Sequence, residues 1–281
     1  MTEGEAASAA AEQNPRNLLM RVLAAAVLAP AAIAIAYAGG WLWIALATLA
    51  AIGLYVEWLT IVGESHGLRV VAPGVVALLI AGLCLTLGRL EASLIVSVLG
   101  FLAVALLAPG ERRWAVTGFA YAAAAQLASV LLRLDPVEGF AALILVLLVV
   151  WATDIGAYFV GRRIGGPKLW PRVSPKKTWS GAVGGFAASL VVAAGFAVFH
   201  LGRPGPLLLL GSVLSVAAQL GDLFESAVKR RFGVKDSSRI IPGHGGLLDR
   251  LDGFVAAVVL AAILGFLRRG VDGAGSGLMV W

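Results

Sequence analysis

Asp222 and Glu225 close one apolar run of the 281-residue chain, and Asp249 and Asp252 open the next. The members of each pair are three residues apart, so each pair would share one face of a helix. Two such helix ends meeting at one surface would gather four carboxylates, which raise one another's proton affinity unless a cation intervenes. A hard divalent ion suits that arrangement. Magnesium typically takes one or two protein carboxylates and completes its octahedron with water and substrate phosphates. The expected ligands are Asp222 and Asp249, one from each helix end.

Between the two pairs lie Ser226, Lys229, Arg230, Lys235, Asp236 and Arg239, with Arg250 just beyond Asp249. Arginine offers bidentate recognition of phosphate and lysine a mobile point charge. Glu225 could instead pair with Lys229 at i,i+4, a structural role. Gly243-His244-Gly245-Gly246 is a turn through which backbone N–H groups can approach an anion without side-chain obstruction. His244 is expected to bind phosphate or orient this turn.

A second polar segment begins inside an apolar run, where Asp154 and Tyr158 share a face at i,i+4; Asp154 is expected to line a polar cavity, the alternative being a structural hydrogen bond or ion pair between spans. An irregular stretch rich in Gly and Pro follows. It ends in Ser174-Pro175-Lys176-Lys177-Thr178, immediately before the next apolar run. Hydroxyls and ammonium groups at a helix start favour an anion. Positive-inside anchoring would explain Lys176 and Lys177 as well, but not Ser174 and Thr178.

The elements that must position these residues are membrane spans. Hydrophobic residues make up 60% of the chain and charged residues 14%, with a mean hydropathy of +0.92. A soluble domain carries about 25% charged residues. Runs of about 20 apolar residues cross the hydrocarbon layer as helices. Nine are expected: 21–38, 41–62, 70–88, 92–109, 115–132, 139–160, 179–201, 205–225 and 251–268. The fold class is therefore all-α and polytopic. An Ala-rich tail (1–17) is expected to be disordered, followed by plain spans over 18–138 and a catalytic region over 139–281.

With nine spans, all of the 22 Lys/Arg except Arg89, Arg133, Arg203, Arg268 and Arg269 fall on one side. That side is expected to be cytoplasmic, and both polar segments emerge on it. The net charge of +6 does not imply nucleic acid, because the basic residues sit in loops beside spans without a nucleic-acid module. Anionic headgroups or nucleotide phosphates are the expected partners. Cys84 is the single cysteine, which excludes an intrachain disulfide.

The segment from Ser226 to Asp252 resembles the signature of the phosphatidate cytidylyltransferases, or CDP-diacylglycerol synthases. The similarity is carried by Ser226, Lys229-Arg230, Lys235-Asp236, Pro242, His244-Gly245-Gly246, Asp249-Arg250 and Asp252. Upstream, Asp154, Ala157-Tyr158, Gly161 and Ser174 through Trp179 also match. Ser180 and Gly253 depart from the family's frequent Glu and Ser. The resemblance covers about residues 151–253; the first five spans match only in being apolar.

The resemblance implies transfer of CMP from CTP to phosphatidic acid, giving CDP-diacylglycerol and pyrophosphate. It also implies magnesium dependence, a homodimer and a place in a bacterial-type inner membrane with the site facing the cytoplasm. Whether a monovalent cation accompanies magnesium is left open. The phosphate and metal chemistry would fall to Asp222, Lys229, Arg230, Asp249 and Arg250. Substrate contacts would fall to Asp154, Ser174, Lys176, Lys177, Thr178, Ser226, Lys235, Asp236, His244, Gly245, Gly246 and Asp252. The alternative is a membrane transporter with a cytoplasm-facing carboxylate site. Transporters show repeats and polar groups near the midplane; here repeats are absent and the polar groups gather towards one face. Neither a GxxxxGK[ST] loop nor the DG-x2-AR…G-x3-D-x3-D run of the CDP-alcohol phosphotransferases occurs.

Overall fold

The computed structural model describes residues 27, 29–64, 67–238 and 245–281. The tail 1–17, the start of the first expected span, Arg239, Pro242, Gly243 and His244 lie outside the described residues.

Eight helices among the described residues are long and apolar enough to cross a membrane. A shorter apolar helix, α1 (Ala29–Ala38), precedes them and lies within the first expected span. The eight are α2 (Gly40–Ile61), α3 (Leu68–Thr86), α4 (Leu90–Leu107), α5 (Arg112–Leu134), α6 (Gly139–Ile164), α7 (Trp179–Val198), α8 (Pro204–Arg231) and α9 (Leu248–Arg269). A short α10 (Ala274–Met279) ends the chain. Large apolar side chains that remain exposed, such as Leu94, Ile95, Val98, Leu99 and Leu106 on α4, form the surface that lipid would cover.

One element departs from the expected irregular loop. Strands β1 (Lys168–Trp170) and β2 (Ser174–Thr178) pair antiparallel, with Lys168 opposite Thr178 and Trp170 opposite Ser174. A two-stranded ribbon has only edges, so Pro175 can sit in β2 without breaking a ladder.

Two helices outrun the bilayer. At 1.5 Å per residue, the 28 residues of α8 reach about 42 Å and the 26 of α6 about 39 Å, against roughly 30 Å of hydrocarbon. α8 continues through Lys229, Arg230 and Arg231, because these are good helix formers and cations suit a helix C-terminus. Asp222 and Asp154 therefore stand about 13–15 Å before their helix ends, near the edge of the hydrocarbon.

Packing brings the polar ends together. α6 and α7 meet through small residues: a Cβ at Gly156 would lie 2.8 Å from the Gly184 carbonyl oxygen, and one at Gly185 would lie 2.5 Å from that of Thr153. α8 and α9 cross where a Cβ at Gly221 would lie 2.7 Å from the Asp252 carbonyl oxygen. One apolar core joins α2, α3 and α5 to Val228 of α8 and to Leu248 and Val255 of α9, so it runs across the boundary at residue 138. Several buried polar side chains find partners between helices, where no water is at hand. Gln126 Nε2 donates to Thr48 Oγ1 at 2.7 Å, and Thr153 Oγ1 to Ser215 Oγ at 2.8 Å.

At the opposite end of the bundle, buried Asp135 ties the α5–α6 turn to α10 by accepting from Ser276 N (2.6 Å), Val137 N (2.9 Å) and Glu138 N (3.1 Å). Burial alone would raise its carboxyl, but these donors hold it below the ordinary carboxylate value.

Candidate active site

The hairpin is the first part of the site. Thr178 is buried and caps α7, its hydroxyl oxygen accepting from Gly181 N at 3.1 Å, so its side chain serves the helix start. Lys177, one residue earlier, forms an ion pair with Asp222 on α8. Lys176 points into solvent, and Ser174 is half-buried in the strand. Arg230 ties the hairpin to α8 by donating from Nε to the Val173 carbonyl at 3.3 Å and from a terminal nitrogen to the Val234 carbonyl at 3.1 Å. Tyr158 accepts from Arg162, one turn further along α6, at 2.8 Å.

Three helices then contribute an acidic cluster. Asp252 on α9 feels the charges of Asp222 on α8 and Asp154 on α6, with Glu225 also close. Lys177 and Arg250 are the cations acting on Asp154. Ser226 sits one turn beyond Asp222 and approaches its carboxylate at 3.5 Å. Tyr121 on α5, next to Trp58 (ring centroids 5.5 Å apart), donates to the Asp252 backbone oxygen at 3.3 Å.

A second cluster is internally paired. Lys229 Nζ lies 2.7 Å from Glu225 Oε2 and 2.6 Å from Asp249 Oδ1. The other Asp249 oxygen accepts from Ser237 N (3.1 Å), Ser237 Oγ (3.0 Å) and Gly246 N (2.9 Å). Both Asp249 oxygens are thus committed to a lysine and to the loop joining α8 to α9. The i,i+4 pairing of Glu225 with Lys229 that the sequence allowed is present. Lys235 and Asp236 are exposed on the loop.

Glycine is required at two points of this loop. Gly245 has φ +82°, a left-handed conformation that favours glycine. A Cβ at Gly246 would collide with Ser237 Oγ and with a Glu57 carboxylate oxygen. Gly246→Ala is therefore expected to lower activity at least tenfold and stability by about 1–3 kcal/mol, read by turnover and thermal unfolding in detergent.

Glu57 is the residue that sequence reasoning missed. It lies on α2 with 1% of its surface exposed. One oxygen accepts from Ser238 Oγ (2.7 Å) and Leu247 N (2.8 Å), the other from Ser237 Oγ (2.9 Å) and Leu248 N (2.7 Å). A signal existed: a lone carboxylate inside an apolar run marks a functional site by default.

Among the described residues no group of three or more His, Cys, Asp or Glu side chains is arranged as a metal cage. The donor set fits the sparser demand of magnesium, one or two carboxylates with water and phosphate completing the shell. Of the two expected ligands, Asp249 has its oxygens on Lys229 and the loop, and Asp222 is paired with Lys177.

Known proteins bear on this arrangement. A model of the cytidylyltransferase family matches residues 19–267. A phosphatidate cytidylyltransferase of Brucella suis is 41% identical over 262 residues, covering 89% of this chain and 93% of the relative. One of Brucella melitensis is 40% identical over the same shares. A phosphatidate cytidylyltransferase of Staphylococcus saprophyticus is 50% identical over 129 residues, 45% of this chain and 50% of the relative. The match to the family model includes the early spans and hence Glu57, and the chain belongs to the cytidylyltransferase family.

Proposed function

We propose that the chain transfers CMP from CTP to phosphatidic acid, giving CDP-diacylglycerol and pyrophosphate. The observation that carries this reading is the meeting of Asp154, Asp222 and Asp252 beside Lys177 near the edge of the hydrocarbon, next to a basic loop. One substrate is a lipid whose phosphate lies at that depth, and the other is a soluble polyanion.

An ionised oxygen of the lipid phosphate attacks the α-phosphorus of CTP in line. The new oxygen–phosphorus bond forms as the bond between the α-phosphorus and the bridging oxygen breaks, and pyrophosphate leaves with the electron pair. The nucleophile is already ionised, so the site needs no general base. Catalysis rests on positioning and on countering the developing charge. Lys177 and Arg250 bring positive charge to the acidic cluster, where the triphosphate and lipid phosphate would meet. Lys229 neutralises Asp249, which holds the loop that would enclose the nucleotide phosphates. Lys176 and Lys235, both exposed at this end, draw in the polyanion.

Asp222 would hold a magnesium ion, with Asp252 as its neighbour. When bound, the ion supplies Lewis-acid neutralisation of phosphate oxygens. This end of the bundle faces the cytoplasm of a bacterial inner membrane, where CTP is available. A homodimer belongs to the same reading and rests on the family resemblance alone. The transporter reading is not retained, because the polar groups gather at one end and the relatives are named as transferases.

Purified protein given labelled CTP, phosphatidic acid and magnesium is expected to release CDP-diacylglycerol and pyrophosphate in equal amounts, and chelation should stop both. Folded protein that yields neither product would overturn the reading.

A further inference from the structure

Among the described residues Glu57 forms no ion pair, yet four donors from the α8–α9 connection and the first residue of α9 converge on it. The donors fall in two sets, Ser237 and Ser238 on the α8 side and Leu247 and Leu248 on the α9 side. One carboxylate thus grips both ends of the segment in which His244 and Gly245 lie. The grip has an apolar half as well. A Cβ at Gly53, one helical turn before Glu57, would lie 2.7 Å from Leu247 Cδ2, so the missing side chain makes room for that leucine. Leu248 is fully buried in the core shared with α2. Ser237 Oγ reaches Glu57 at 2.9 Å and Asp249 at 3.0 Å, linking this grip to the Lys229 cluster. A hydroxyl has one proton, so Ser237 can donate to only one of the two carboxylates at a time.

We infer that Glu57, together with the notch at Gly53, is a latch on α2 that positions the α8–α9 loop for CTP. The inference rests on the proposed transferase reading for the identity of the nucleotide, and on geometry for the latch. Glu57 touches no substrate. It acts through Leu247, Leu248 and the two serines, so it is a positioning residue. A carboxylate suits this place because it only accepts, and four donors converge on it. Glutamine would present an NH2 group to two of them. Loop displacement of the order of 1 Å can cost about 10²-fold in rate.

The test uses the full chain in lipid nanodiscs. Glu57→Gln and Glu57→Ala are expected to lower kcat/KM for CTP by about 10²-fold. KM for CTP should rise, and KM for phosphatidic acid should stay within twofold of wild type. Glu57→Asp, which keeps both oxygens, should retain more activity than Glu57→Gln. Hydrogen exchange should quicken at least tenfold in a peptide holding Leu247 and Leu248, with α6 and α7 unchanged. Gly53→Leu should reproduce the exchange effect by blocking the notch. Two results overturn the inference: kinetics and exchange both within twofold of wild type in Glu57→Gln, or exchange quickened equally in every helix with KM for CTP unmoved. A wild-type protein that makes no CDP-diacylglycerol would defeat the transferase reading instead, and the exchange measurement would still decide the latch.

Discussion

Lys229→Met should unfold the site before it slows the chemistry. Lys229 is the cation shared by Glu225 and Asp249, whose side chains are 1% and 13% exposed. Removing one partner from a buried charge pair typically costs about 3–5 kcal/mol, because the remaining charge is left without compensation. Here two carboxylates would be left, and Asp249 would lose the charge that lets it sit among loop donors. Unfolding of Lys229→Met in detergent should fall by that amount and turnover should vanish. The double variant Lys229→Met/Glu225→Gln should recover part of the stability, since it removes one of the stranded charges. Wild-type stability in the single variant would contradict the buried three-residue pairing.

Asp222→Asn should behave differently, with the fold intact and turnover down by about 10²–10³-fold. Asp222 is partly open and pairs with Lys177, so neutralising it leaves a half-exposed lysine and no buried orphan. If Asp222 holds magnesium, the remaining activity should need more of the ion. Asp249→Asn separates the two readings of the metal. Its oxygens are spent on Lys229, Ser237 and Gly246, so the loop should loosen and KM for CTP rise with little change in magnesium requirement. A large magnesium shift for Asp249→Asn with none for Asp222→Asn would restore Asp249 as the ligand and remove Asp222. Near wild-type turnover of Asp222→Asn at saturating magnesium would end its assignment altogether.

Much of this architecture could be read before any coordinates, and the reasons differ by element. Spans were legible because twenty apolar residues have few other uses, and α2 through α7 begin within three residues of the expected places. α8 runs six residues past the expected end at 225, because hydropathy falls off towards Lys229 while helix propensity does not. The hairpin at 168–178 was hidden by its prolines, which read as irregular chain unless the pairing of Trp170 with Ser174 is known. The acidic pairs were visible through their i,i+3 spacing. Their partition was not, because Asp249 pairs with Lys229 while Asp252 feels the charges of Asp222, Glu225 and Asp154, in an α8–α9 crossing that is close at Gly221. Glu57 is separated from Ser237 by 180 residues, and no local pattern connects them.

That separation has a consequence in time. A membrane chain is made and inserted from its N-terminus, at about 5–20 residues per second. Glu57 and Gly53 therefore enter the bilayer roughly 10–40 seconds before Ser237 leaves the ribosome. For that interval a carboxylate destined for burial has none of its four donors and must be kept near water at the membrane edge. The early spans thus act as a receiving dock, open during synthesis and closed by the last third of the chain. A gene cut after residue 138 would yield one half with an unfilled dock and another with an untethered loop. Coexpressing the halves could restore turnover only after they had found each other in the membrane.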